Sequence, residues 1–252
     1  MAHPAQAPLW NERTVAWYER ANAESDYAER VLTTAADVLA DCRTALDVGA
    51  GFGALALPLA ERLERVTALE PAAAMARALR AAARARGLAN VETLEQRWEE
   101  ARPAPPDVIV CAHVAPLLRP DSAFVADAGR LARRAVVLVH DAPGGEDKFF
   151  YGELYPRLLG RRYGHGVRPD GVEAALAALG VRPLIKEIAV RSDQPFDSLE
   201  EACDFWMTWM RLTEPAHRDY LAGFLRERLV RTPRGWRAPY GKRVRVIRWR
   251  TG

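Results

Sequence analysis

From Thr44 onward, five short apolar runs alternate with longer stretches that carry apolar residues at helical spacing. The runs are Thr44 to Val48, Arg65 to Glu70, Val91 to Gln96, Asp107 to Ala112 and Ala135 to His140. Between them Leu55 to Arg62, Ala72 to Arg86 and Phe124 to Arg134 are rich in Ala, Leu and Arg, all strong helix formers. This alternation leaves few solutions. Strands joined by right-handed helical crossovers build a doubly wound, Rossmann-like α/β sheet.

The chain has 252 residues, 49% of them hydrophobic, enough to bury the core of one large domain or of one domain with a smaller cap. No N-terminal stretch has the charge and apolar order of a signal peptide, and no apolar run approaches the roughly 20 residues that span a bilayer. A cytoplasmic protein without membrane contact is the expectation. Cys42, Cys111 and Cys203 are far apart and lack metal-ligand spacing, so buried free thiols are expected, and no metal site.

The first crossover carries the densest chemical signal. Residues 45–53 read ALDVGAGFG, with three glycines in five residues behind an apolar run holding one acid, Asp47. Glycine at a strand-to-helix turn permits positive φ and lets another group approach the main chain, while the next helix offers free N–H groups and a positive dipole end. The second run ends at Glu70, placed as a ribose-binding acid would be. Two cofactor classes fit this pair, because Gly49, Gly51 and Ala54 also satisfy the relaxed dinucleotide pattern GxGxxA of an NAD(P)-dependent oxidoreductase.

ALDVGAGFG, followed by VTALEP at 66–71, resembles the first two motifs of the class I S-adenosylmethionine-dependent methyltransferases. VETLEQRWEE and PPDVIVCAHVA follow in the order and spacing of that family's third and fourth motifs, so the similarity covers about residues 40–140. This collinearity favours S-adenosylmethionine over a nicotinamide dinucleotide. The resemblance implies a seven-stranded sheet, mostly parallel with an antiparallel last strand, the late strands being Pro183 to Val190 and Arg243 to Trp249. It also implies methyl transfer with release of S-adenosylhomocysteine.

On the same resemblance Gly49, Ala50, Gly51 and Gly53 lie beneath the cofactor's amino acid part, with Asp47 near its ammonium group. Glu70, followed by Pro71, holds the ribose hydroxyls, and Met75 contacts the adenine. Arg97 and Trp98 stand where family members commonly present an acid and a small residue. Arg97 cannot accept from the adenine amino group, which passes that contact to Gln96, Glu99 or the main chain, with Trp98 stacking. His113, closing the fourth strand beside the expected methyl position, is the candidate base or orienting group, and His140 and Asp141 at the end of the fifth strand are its competitors.

The implied organisation is an N-terminal helical cover over 1–40, a cofactor-binding core over 41–141, and the rest of the sheet over 142–252. Cap segments are inserted at about 142–182 and 191–241. Within the cover, Trp10 to Ala23 and Asp26 to Leu39 read as amphipathic helices. Trp17 reads as packing, and Tyr18 as a substrate contact. The first insertion gathers Tyr151, Tyr155, Arg161, Arg162, Tyr163 and His165, a set suited to a planar or anionic acceptor, with Tyr151 and Tyr155 as substrate candidates. Trp206, Trp209 and Met210 form an apolar stripe in the second insertion.

Net charge is +3, yet residues 225–250 hold ten basic residues against one acid. One reading makes this tail, with Trp236, Tyr240 and Trp249 interleaved, a surface for RNA, either as methylation substrate or as partner. The other makes RVRVIRW an amphipathic strand with Val244 and Val246 inward and solvated arginines outward. The acidic remainder of the chain favours a small-molecule acceptor. Only Lys148, Lys186 and Lys242 are lysines.

Overall fold

A computed structural model describes residues 9–119, 121–143, 147–164 and 171–251, so the expectation placed on His165 lies outside the described residues. Three helices come first, α1 (Glu12–Ala23), α2 (Tyr27–Thr34) and α3 (Ala36–Leu39). The alternating core follows as β1 (Thr44–Val48), α4 (Ala56–Ala60), β2 (Arg65–Leu69), α5 (Ala73–Ala85), β3 (Val91–Leu94), β4 (Val108–Ala112), α6 (Phe124–Leu131) and β5 (Ala135–Asp141). A 3₁₀ turn at Lys148–Phe150 leads into α7 (Tyr151–Leu159), then α8 (Gly171–Ala178) and β6 (Leu184–Arg191). Last come β7 (Gln194–Phe196), α9 (Leu199–Met210), α10 (Pro215–Arg228), β8 (Val230–Thr232), β9 (Gly235–Ala238) and β10 (Gly241–Arg250).

The main sheet has seven strands in the order β3-β2-β1-β4-β5-β10-β6. β1 to β5 pair in parallel, and β10 runs antiparallel to both β5 and β6. The doubly wound sheet and its antiparallel last strand are therefore as the motifs imply. Strand order reverses between β1 and β4, which are neighbours, so the loops leaving these two strands emerge side by side at the carboxyl edge.

Alternation along the strands feeds two cores. Val110, Val137, Val139, Val244 and Val246 face α2, α3 and α4, while Ile109, Cys111, Val136, Leu138 and Ile247 face α6 and α8. A third, aromatic core joins Trp17 of α1, Phe149, Tyr151, Phe196, Phe205 and Trp206. The N-terminal segment is thus divided: α1 packs with the inserted segments, and α2 and α3 pack on the main sheet.

Local sequence sets the helix ends. Asn11 caps α1 by accepting from the Arg13 and Thr14 amides, and Thr14 Oγ1 accepts from the Asn11 amide in return. Ser198 caps α9 by accepting from the Glu201 amide, and Pro215 opens α10 at a position where its missing N–H costs nothing. The cap segment expected at about 191–241 therefore holds two helices. A small antiparallel sheet, β7-β9-β8, accompanies them, which the sequence reading did not anticipate.

In the basic tail, Val244 and Val246 of β10 are buried as its amphipathic reading expects, while its arginines are ion-paired rather than simply solvated. Arg243 and Arg245 meet Glu187, Arg245 also meets Glu173, Arg248 meets Asp37 and Arg250 meets Asp41. Earlier in the tail, Arg228 binds Glu153 and Arg237 meets Asp193. All three cysteines are buried and free. Among the described residues no helix is long and apolar enough to cross a membrane.

Candidate active site

The glycine turn begins where β1 ends, and it is tied to β2 by hydrogen bonds from the Gly49 and Ala50 amides to the Leu69 carbonyl, at 2.8 and 3.1 Å. A Cβ on Gly49 would collide with Val114, and one on Gly53 would come within 2.8 Å of Leu57. These two glycines serve close packing. Gly51 differs: its φ is +58° and a Cβ there would meet nothing within 4 Å. The bare main chain at Gly51 faces open space.

Glu70 holds this turn in shape. Its two carboxylate oxygens accept from the Gly51 amide at 2.9 Å and from the Ala72 amide at 2.7 Å, leaving further lone pairs on both oxygens. Glu70 is 7% exposed and Asp47, pointing up from β1, is 2% exposed. Burial, then the neighbouring Glu70, pushes the Asp47 carboxyl up to about 7. Burial likewise raises Glu70, although the two backbone donors oppose it. Among the described residues no cation is close enough to offset either acid. Two uncompensated buried carboxylates are costly unless a positive group enters beside them.

Tyr27, from the start of α2, borders the same place. Its buried hydroxyl has no hydrogen-bond partner among the described residues, and burial, Asp47 and Asp141 together hold it well above its ordinary value. An orphaned hydroxyl beside a buried acid is the second sign of an unfilled polar contact at this turn.

His113 leaves β4 with φ +58°, a strained conformation for a residue with a side chain, and its amide donates to the Val139 carbonyl at 2.8 Å. Its ring lies 5.6 Å from that of Tyr27, centroid to centroid. Lys242 Nζ, from the start of β10, stands 3.1 Å from His113 Nε2, 3.5 Å from Nδ1 and 3.1 Å from Asp141 Oδ1. Near-equal distances to both nitrogens place the ammonium off either lone-pair axis, so it repels a ring proton without occupying the lone pair. Burial, then Lys242, hold the imidazole well below its ordinary value. Burial brings Lys242 itself down to about 8 against the pull of Asp141.

A second cation reaches this group from the first insertion. Lys148 precedes Phe149 and Phe150, whose φ values of 52° and 60° are strained and are supported by the packing of Phe149 in the aromatic core. The Tyr18 hydroxyl, then Asp141, hold the Lys148 ammonium above its ordinary value against burial. Tyr18 packs on Trp10 and Trp209, with centroids at 5.1 and 5.6 Å. Tyr151, Tyr155 and Tyr163 form a triangle with centroids 4.9 to 5.5 Å apart.

Thus Tyr18, His113 and Asp141, scattered in sequence, gather around Lys148 and Lys242, and Tyr151 joins them through Tyr18. His140 reaches them only as a further electrostatic neighbour of His113. It is buried on the opposite face of β5 from Asp141, and its Nδ1 donates to the Asp141 carbonyl at 2.9 Å. Met75 is buried in the first turn of α5 and Pro71 is exposed at its approach. Arg97 is exposed, with its amide donating to Glu100 at 3.3 Å. Trp98 stands edge-on to Phe124 at 5.0 Å, so part of the ring expected to stack is spent on the core. A cleft of about 980 Å³ between Trp98 and α6 lies outside this constellation.

Sequence reasoning missed Lys242, Lys148 and Tyr27. One signal was present: in a chain with 36 Lys and Arg residues of which three are Lys, two of those three converge here.

The comparisons with known proteins agree with this architecture. Residues 45–134 match a family model described as a methyltransferase domain. No curated protein matches the chain. Among solved structures, a candidate methyltransferase from Bacillus halodurans is 17% identical with a TM-score of 0.57, covering 89% of this chain and 98% of that one. The YcgJ protein of Bacillus subtilis is 16% identical with a TM-score of 0.54, covering 88% and 98%. The magnesium protoporphyrin IX methyltransferase of Synechocystis, solved with bound S-adenosylhomocysteine, is 15% identical with a TM-score of 0.51, covering 88% and 82%. The sheet order, the glycine turn at its switch point and the acid closing β2 define a class I methyltransferase fold. The matched methyltransferase domain at 45–134 lies within that fold.

Proposed function

We propose that this chain binds S-adenosylmethionine and transfers its methyl group to a small-molecule acceptor. The observation that carries this reading is the pair of buried, uncompensated acids, Asp47 and Glu70, flanking the open main chain at Gly51. A ligand with an ammonium group and ribose hydroxyls satisfies both. Asp47, with the Tyr27 hydroxyl beside it, would receive the ammonium. Glu70 would accept from the ribose hydroxyls through its remaining lone pairs. The Synechocystis relative, solved with S-adenosylhomocysteine, supports the same cofactor class.

When bound, the sulfonium supplies an already reactive methyl electrophile, so the protein contributes chiefly orientation and exclusion of water. His113, at the end of β4 next to the glycine turn, is held neutral by burial and Lys242 and keeps a ring nitrogen able to accept a proton. A small-molecule acceptor is favoured over RNA because six arginines of the basic tail are already paired with carboxylates. Calorimetry with S-adenosylhomocysteine and with NAD tests the reading. Saturable binding of the former is expected, and binding of NAD alone would overturn it.

A further inference from the structure

This inference rests on the methyltransferase reading and concerns the acceptor. Lys242, Lys148, Asp141 and His113 come from β10, from the turn before α7, from the end of β5 and from the end of β4. Lys242 and Asp141 are in direct contact at 3.1 Å, and Asp141 Oδ1 is 3.4 Å from His113 Nδ1. Among the described residues Lys148 has no carboxylate within ion-pair distance, and its ammonium stands 5.7 Å from the centre of the Phe149 ring. Two ammoniums therefore face one carboxylate, and a neutral imidazole adds nothing. The balance is one positive charge in a largely buried place, where an unpaired ion is unfavourable.

The choice of lysine points the same way. The chain uses arginine at 33 of its 36 Lys and Arg positions, so lysine at both cationic positions of one site departs from its habit. A compact ammonium concentrates charge on one atom and suits a single acidic oxygen, whereas the guanidinium fork suits two-point pairing. Aromatic rings border Lys148: Tyr18, packed on Trp10 and Trp209, and Tyr163, packed on Tyr151 and Tyr155.

We propose that the acceptor is an aromatic acid, a carboxylate or phenolate, whose acidic oxygen sits beside Lys242 with Lys148 adding its charge, and whose ring lies among Tyr18, Tyr151 and Tyr155. Such an oxygen carries its own electron pair and needs no base.

The test uses 4-nitrophenol, whose anion is coloured, titrated into the full-length protein with and without S-adenosylhomocysteine. Saturable binding is expected, with the bound phenol ionising at a pH lower than in water by about one unit or more, as a nearby opposite charge dictates. Benzoate should compete and benzyl alcohol should not. Lys242→Met and Lys148→Met should each reduce the shift while retaining S-adenosylhomocysteine affinity, which also shows that the variants fold. Absence of saturable binding, a phenol bound in neutral form, or equal competition by benzyl alcohol overturns the proposal. Loss of S-adenosylhomocysteine binding with the phenol shift intact overturns only the cofactor reading.

Discussion

Replacing Asp47 by Asn should stabilise the unliganded protein at alkaline pH and damage its cofactor site. The Asp47 carboxyl ionises at about 7, against 3.8 for its solvated counterpart, a difference of about three units. At 1.36 kcal/mol per unit, holding the ionised acid in its buried site costs about 4 kcal/mol at pH 8. The sign follows from the direction of the shift. A raised acid favours the protonated fold, so its cost is absent below the unfolded value and grows as pH rises from about 4 to about 7. Denaturant titrations of wild type and Asp47→Asn should therefore coincide near pH 4 and separate at pH 8, with the variant more stable.

Cofactor binding should show the opposite preference. An ammonium placed beside Asp47 lowers its pKa, so binding at pH 6 should expel about 0.9 proton and at pH 8 about 0.1. Calorimetry of S-adenosylhomocysteine in two buffers of different ionisation heat counts this proton directly. Affinity should weaken by roughly tenfold per pH unit below about 6, and Asp47→Asn should bind weakly with no such dependence. Identical heats in the two buffers at pH 6, together with no stabilisation of the variant at pH 8, would refute the reasoning.

Glu70→Ala should weaken S-adenosylhomocysteine binding more than about tenfold, through loss of a charge-assisted pair of hydrogen bonds. Calorimetry measures it, and unchanged affinity would show that the second acid is not at the ribose. Gly51→Ala should cost about 1–2 kcal/mol for a side chain at φ +58°, keep the fold because nothing lies within 4 Å, and lower cofactor affinity. Denaturation and calorimetry separate those two effects. Trp206→Ala, which empties the centre of the aromatic core and removes the bond from its ring N–H to the Phe149 carbonyl at 2.8 Å, should cost about 3–5 kcal/mol in a denaturant titration.

Much of the parallel sheet was legible in the sequence. β1 occupies the residues expected from its apolar run, and β2 to β5 fall within a residue or two of theirs, because strands buried on both faces must be continuously apolar. The segments that escaped are those in which local signals are weak or contradictory. β7, β8 and β9 span three or four residues each and include Pro195 and Gly235, while α7 contains Pro156 and reads as a loop. Their order comes from packing around Trp206 and Phe205 rather than from local preference.

The sequence alone determined the kind of sheet, the glycine turn and the acid at the end of β2, because these depend on hydrophobic period and on residues close together along the chain. Tertiary structure decided the rest of the site. It inserted β10 between β5 and β6, which carries Lys242 to His113 across 129 positions of sequence, and it turned His140 to the opposite face from Asp141. Among the described residues it also left Asp47 without a cation and the Tyr27 hydroxyl without a hydrogen-bond partner. Charge and solvation depend on what lies nearby in space, and neither periodicity nor motif spacing records that.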